Sequence, residues 1–239
     1  QRVAGSNPVS PTTCMQLKKA SNILIMKEGN YMKTLLVLIL STLFYKASYS
    51  NDYLSALELF NKRKITNSVQ LFQKVATNEK DPKRSDAMYN LAIIYDNGFG
   101  IQANKTRALY YYEAASDLSN IYAQYNLGWK YYNGENVNKD VVKAFNLYNS
   151  AANDGHPRAM YNLAHMYYSG TGTVKNLKLA FKTFLNAKIN GISESGYFIE
   201  KISKEITPQE LIVLTEEFSS LIEEKIPLPV IVENENLSD

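Results

Sequence analysis

Laid over itself at an offset of 36 residues, the chain repeats without a gap across the segments that start at Ser85, Ile121 and Pro157. Eight positions are identical in all three copies: Ala87, Ala123, Ala159; Tyr89, Tyr125, Tyr161; Asn90, Asn126, Asn162; Leu91, Leu127, Leu163; Tyr95, Tyr131, Tyr167; Gly98, Gly134, Gly170; Ala108, Ala144, Ala180; Ala115, Ala151, Ala187. A period of this length means stacked supersecondary units, each burying its apolar face on the next. In the first copy Ala87, Leu91 and Tyr95 fall at i, i+4, i+8 and Ala108, Tyr112 and Ala115 at i, i+4, i+7, two helical stripes. Alanines allow the two helices to approach closely while Tyr95 and Tyr112 fill the space beside them. The turn carries Gly98 and Gly100, then Gly134 and Asn136, then Gly170 and Gly172, residues that tolerate positive φ. Asn104, Asp140 and Asn176 are placed to cap the second helices, and Pro157 to open the third copy after His156.

The pattern Ala-x-Tyr-Asn-Leu-Gly/Ala-x-x-Tyr-x-x-Gly-x-Gly, then Lys/Arg-Ala-x-x-x-Tyr and Ala-Ala, resembles Sel-one-like repeats, relatives of the tetratricopeptide repeat. It is carried by Ala87 to Gly100 with Arg107 to Ala115, by Ala123 to Gly134 with Lys143 to Ala152, and by Ala159 to Gly172 with Ala180 to Ala187. The resemblance implies an all-α, right-handed α-solenoid whose first helices line a concave face. About five hairpins are expected: three regular repeats (85–120, 121–156, 157–192) and two degenerate capping pairs, over 51–84 and 193–225. In the first cap Asp52 to Phe60 and Thr66 to Ala76 are the helices, with Phe72 and Val75 standing where Tyr112 and Ala115 do. In the last, Ser193 to Ile206 and Pro208 to Glu224 are the helices, the second capped by Thr207. The third repeat departs from the pattern, since Leu179 and Phe184 replace the basic residue and the tyrosine.

Composition changes sharply near residue 50. Met32, Lys33, the apolar run Thr34 to Tyr45 and the small residues of Ala47-Ser48-Tyr49-Ser50 read as a secretory signal peptide over 32–50. The run is shorter than the roughly 18 residues of a spanning helix, so no stable membrane span is expected after cleavage. Residues 1–31 read as a disordered, non-native upstream extension: codons able to encode Ala4 to Val9 match the T arm of a tRNA gene. Residues 1–50 hold six Lys or Arg and one acid, which leaves 20 bases and 22 acids from Asn51 onward. The net charge of +3 therefore becomes about −2 in the exported part, with no field to attract nucleic acid. The single cysteine, Cys14, lies in the extension, so the exported part forms no disulfide. Residues 226–239, opening on Ile226-Pro227-Leu228-Pro229, are incompatible with helix and read as a disordered acidic tail.

Catalytic constellations are scarce. His156 reads as a turn or cap residue, and neither it nor His165 has a second histidine at i+3 or i+4, so no metal or cofactor is expected. Gly98-Phe99-Gly100 follows a helix and recurs with the repeat, which makes it turn chemistry rather than a phosphate loop. The recurring tyrosines fall on the packing stripe, which argues against a base-stacking platform.

Function is expected on what varies over this frame. About 100 degrees from the packing stripe, on the first helices, lie Asn90 and Ile94, then Asn126, Trp129, Lys130 and Asn133, then Asn162, His165 and Met166. They are the candidate contacts for a protein or peptide partner on the concave face. Trp129 is the leading one, because the frame does not demand an aromatic there and Trp is favoured among interface anchors; packing against the next first helix is its structural alternative. The three asparagines recur, which favours a role in holding repeats together over reading a ligand. The expectation is a non-catalytic, monomeric interaction module, periplasmic or secreted. The alternatives are an enzyme of the weak β-lactamase or penicillin-binding type, which in the resembling family carries a cysteine pair per repeat that this chain lacks, or an envelope-assembly or host-interaction factor.

Overall fold

The computed structural model describes residues 51–222, with side chains to residue 216. The expectations for residues 1–50 and for the tail at 226–239 lie outside the described residues. Within them the protein is all-helical. Two helices, α1 (51–61) and α2 (Ile65–Thr77), form the first hairpin. Three longer-turned hairpins follow: α3 (Arg84–Asn97) with α4 (Lys105–Asp117), α5 (Ile121–Asn133) with α6 (Val141–Asn153), and α7 (Pro157–Ser169) with α8 (Leu177–Ile189). The last pair is α9 (Ser195–Ser203) and α10 (Pro208–Ile222). From α2 to α9 the extensive helix contacts are between chain neighbours, within each hairpin and from one hairpin to the next, as a solenoid requires. No helix among the described residues is long and apolar enough to cross a membrane.

The recurring residues make the turns. Gly98, Gly134 and Gly170 end α3, α5 and α7 in the left-handed conformation, with φ of 69°, 76° and 74°. Each donates its N–H to the carbonyl four residues back, satisfying a helix-end acceptor. The caps of the second helices close the same turns. Asn104, Asp140 and Asn176 accept first-turn N–H groups through their side chains. Their own N–H groups return to the carbonyls of Tyr95, Tyr131 and Tyr167 at 2.8, 2.9 and 2.8 Å. Thr207 and Glu210 form a reciprocal capping pair at the start of α10.

Small residues sit where helices cross. Ala87, Ala92, Ala123, Ala159 and Ala164 are fully buried, and a Cβ on Gly128 would come within 3.0 Å of the Tyr148 ring. Tyr112 and Tyr148 fill the adjoining core, with Phe184 in their place in the third repeat, and Phe72 and Val75 do the same in the first hairpin. Burying side chains of this size contributes on the order of 2 kcal/mol each.

The third repeat packs differently for the reason its sequence suggests. In the first two repeats a basic residue lies over the recurring tyrosine: Arg107 over Tyr95 at 5.5 Å and Lys143 over Tyr131 at 4.1 Å, each donating to the phenol oxygen. Where Leu179 replaces that base, Leu179 is exposed and Tyr167 meets Phe145 edge-on at 5.4 Å.

His156 is the N-cap of α7. Its Nδ1 accepts the Ala159 N–H at 3.1 Å, and its ring stacks on Tyr125 at 4.5 Å. Asn120 holds the same place before α5, accepting from Ala123 at 3.0 Å. A histidine caps this way only while Nδ1 is unprotonated, and burial pulls His156 below its ordinary 6.5. A depressed histidine contributes stability above that value which is lost as the pH falls through the folded-state value. Urea unfolding of His156→Asn should therefore keep the cap and lose about 1 kcal/mol of the stability drop between pH 7 and 5. His165 is also lowered by burial and acts in the same direction. An unchanged pH dependence in His156→Asn would remove His156 from the effect.

Candidate functional site

A groove of about 360 Å³ lies between α5 and α7, the first helices of the second and third repeats. Trp129, Tyr132 and Asn133 line it from α5, Tyr148 from α6, Asn162, His165, Met166, Tyr168 and Ser169 from α7, and Thr171 from the turn. Trp129 is 43% exposed, which fits a place on the groove wall better than a seat in the inter-repeat core. Met166 is buried and floors the groove. His165 is half-buried, its ring held edge-on by Phe198 at 4.3 Å and Tyr161 at 4.6 Å. Burial holds it below the ordinary histidine value. Asn133 donates to the Trp129 carbonyl, and Ser169 pairs with Thr171 at 2.7 Å.

None of the ten lining residues carries a formal charge at neutral pH. Charge gathers at the edges instead. Lys139 lies over the Tyr132 ring at 5.8 Å, and Lys175 and Lys201 over Tyr168 at 5.5 and 5.2 Å. The Tyr168 hydroxyl donates to Glu205 at 2.7 Å. The arrangement is an aromatic, hydrogen-bonding trough with a mainly basic rim, suited to holding a ligand by stacking and burial. Among the described residues no group of three or more His, Cys, Asp or Glu could hold a metal ion.

The structure divides the nine candidate residues. Trp129, Asn133, Asn162, His165 and Met166 come together in the groove. Asn90 and Asn126 instead tie each first helix to the one before it, donating to the hydroxyls of Tyr53 and Tyr89 at 3.1 and 3.2 Å. Asn162 departs from this pairing and lies against the Tyr148 hydroxyl.

Ile94 and Lys130 do not face outward, and Met166 does so only as a floor: all three are 4% exposed or less. They share one repeat position, and the preceding hairpin covers it. A helix in a solenoid has two flanks packed, so the buried arc extends past the stripe that its own hairpin partner covers. Lys130 reaches back into the first repeat, where Nζ meets Asp96 at 2.7 Å and lies 5.5 Å from the Tyr112 ring; Glu135 completes its pairing at 3.0 Å. Lys105 holds the other Asp96 oxygen at 2.8 Å.

Tyr132, Tyr168 and Thr171 line the groove without having been anticipated. A signal existed for the tyrosines: the same repeat position is Asp96 in the first copy, and a position that varies over a fixed frame is the kind expected to carry function.

The Sel1 repeat family matches residues 85–120, 121–156 and 157–182. A crystal structure of a Sel1 repeat protein from Oxalobacter formigenes matches with a TM-score of 0.58 and 24% identity, over 69% of this chain and 70% of that one. Helicobacter pylori cysteine rich protein B is 28% identical over 49% of this chain and 97% of its own, with a TM-score of 0.40. The c5321 protective antigen of uropathogenic Escherichia coli is 20% identical over 71% of this chain and 46% of its own, with a TM-score of 0.41. No curated protein matches the sequence. Proteins with Sel1 repeats generally mediate protein–protein interaction, and the family is typically a non-enzymatic scaffold. The residues from Ser85 to Lys182 are three Sel1 repeats, stacked as helical hairpins.

Proposed function

We propose that this chain is an exported, monomeric, non-catalytic binding module that captures a peptide segment of a protein partner in the groove between α5 and α7. The observation that supports the reading is the groove itself: an uncharged trough walled by an exposed Trp129 and by Tyr132 and Tyr168. Aromatic walls supply contact area at low entropic cost, and the amides of Asn133 and Asn162 are placed to meet a peptide main chain. Export rests on the signal-peptide pattern of Met32 to Ser50.

The test is affinity capture with the tagged protein from envelope and culture fractions, repeated with two variants. Trp129→Ala should weaken capture of the retained partner by about 30-fold, the effect of losing an anchor worth about 2 kcal/mol. Tyr110→Ala, which removes a more exposed aromatic on α4, should leave capture and helical content unchanged. Equal capture by the Trp129→Ala protein would exclude the groove.

A further inference from the structure

Shifted back by one repeat, the lining of the groove becomes an ion cluster. Tyr132, Met166 and Thr171 stand where Asp96, Lys130 and Glu135 stand one copy earlier. Between α3 and α5, Lys130 fills that place. Its ammonium meets Asp96 at 2.7 Å and Glu135 at 3.0 Å and lies over the ring of Tyr112, the counterpart of Tyr148. Between α7 and α9 the chain again supplies its own filling, with Phe198 stacked on Phe184 at 4.9 Å and edge-on to His165 at 4.3 Å. At the groove between α5 and α7, Met166 and Thr171 bring no charge and less length than Lys130 and Glu135, and Trp129 and Tyr132 remain 43% and 37% exposed.

The charge that recurs sits on the rim. Lys139 and Lys175 occupy one position of the second and third copies, where the first has Ala103. Each is exposed, with its ammonium over the tyrosine of its own wall, Tyr132 at 5.8 Å and Tyr168 at 5.5 Å. Their stems are seated on the turn glycines: a Cβ on Gly134 or Gly170 would come within 3.2 Å of the Cβ of Lys139 or Lys175. A ring beneath an ammonium fixes where it points without neutralising it. Among the described residues neither lysine makes an ion pair. The other charges nearby are answered within the chain. Lys201 hydrogen-bonds the Tyr168 hydroxyl beside Glu205, Glu135 pairs with Lys130, and Asp140 caps α6. The groove thus presents an aromatic, hydrogen-bonding centre and one unanswered positive charge on each wall.

We infer that the groove takes an acidic peptide segment, seating one apolar side chain over Met166 between Trp129 and Tyr168 and meeting a carboxylate on each side with Lys139 and Lys175. The inference rests on the proposed peptide-binding reading and names the chemistry of its partner. The two walls are one repeat apart, about one helix diameter or 10 Å, which an extended chain covers in about three residues. Two carboxylates within about four residues of each other, with the apolar residue between them, satisfy both lysines at once. The residues from Asn51 onward hold 20 bases and 22 acids, so the preference comes from these two local charges and not from a net field.

The test selects a displayed library of random heptapeptides on three proteins. They are the full chain, the rim-reversed variant Lys139→Glu/Lys175→Glu, and the closed variant Tyr132→Asp/Met166→Lys/Thr171→Glu, which brings in the ion cluster of the earlier interface. Circular dichroism checks that all three are equally helical. Peptides retained by the unaltered chain but not by the closed variant should carry Asp or Glu at least about twofold above library frequency. Those retained by the rim-reversed variant should carry Lys or Arg instead. Trp129 is the only tryptophan in the chain, so its emission follows titration with a selected peptide that lacks tryptophan. Changing that peptide's acids to Gln should weaken its Kd about fivefold in dilute buffer. In 1 M salt, where the screening length is about 3 Å, the difference should fall below about twofold.

The same charge composition from the unaltered and rim-reversed proteins would overturn the inference and leave the peptide-binding reading standing. Neutral or basic sequences from the unaltered chain would do the same. Trp129 emission that shifts with protein concentration in the absence of peptide would put a second copy in the groove and overturn it as well. Retention of no peptide above the closed variant would overturn both the inference and the reading beneath it. Should the closed variant fail to fold, the rim-reversed comparison still decides, because both lysines are exposed.

Discussion

Placing any side chain at Gly172 should produce one of the largest stability losses available in this protein, about 3 to 4 kcal/mol for Gly172→Ala. Two costs add. The backbone there has φ of +71°, and a Cβ would sit 2.3 Å from the Val141 carbonyl oxygen and 2.8 Å from its carbon. The obstacle is backbone at the start of α6, so no rotamer change relieves it. Gly191 is the control: its φ is +95°, but a Cβ there meets nothing within 4 Å, so Gly191→Ala should show the conformational cost alone, about 1 kcal/mol. Urea denaturation of both variants separates steric from conformational strain. Equal losses at the two positions would show that the turn after α7 moves away from α6 at little cost.

Lys130→Ala should cost about 3 kcal/mol, because removing one partner from a buried charge cluster leaves the other under-compensated. The Lys130 side chain is 6% exposed and the Asp96 side chain 12%. Burial alone would raise the Asp96 carboxyl; Lys105 and Lys130 outweigh it and hold the carboxyl below its ordinary 3.8. Asp96 therefore contributes stability above that pH which is lost as the pH falls further. The later repeats carry no charge at the corresponding positions. In the next pair of repeats the residues at these two positions are Tyr132 and Met166. Importing that pair as Asp96→Tyr/Lys130→Met should restore most of what Lys130→Ala loses, whereas Lys130→Met alone should not. A double-mutant cycle measures the coupling; strictly additive losses would mean that Lys130 and Asp96 do not act as a unit.

Both predictions concern what lies between repeats, and legibility of the sequence ended there too. Hairpins, caps and turns could be read because each depends on residues close in the chain. Tyr95 and Asn104 close one turn, His156 caps the helix that Pro157 begins, and Gly98 ends α3 by a left-handed step. Three copies of the pattern made these local rules unmistakable. The recurrence of Asn90 and Asn126 rightly suggested a structural role, although their partners, Tyr53 and Tyr89, needed three dimensions to appear.

The sequence by itself determined the period, the helical hairpins and the face on which variation accumulates, since helix geometry ties those to spacing along one strand of chain. Only the tertiary structure decided which part of that face stays open. Ile94 and Lys130 vary as freely as Trp129 does, but the hairpin before each of them covers one flank of its helix and leaves the other to solvent. An aliphatic or a charged residue satisfies such a covered flank equally, provided the neighbour supplies its complement, so variation alone does not distinguish an inter-repeat contact from a binding surface. The groove, with Tyr132 and Tyr168 beside Trp129, is lined from two successive repeats at once, a property of how repeats are placed and not of any one repeat.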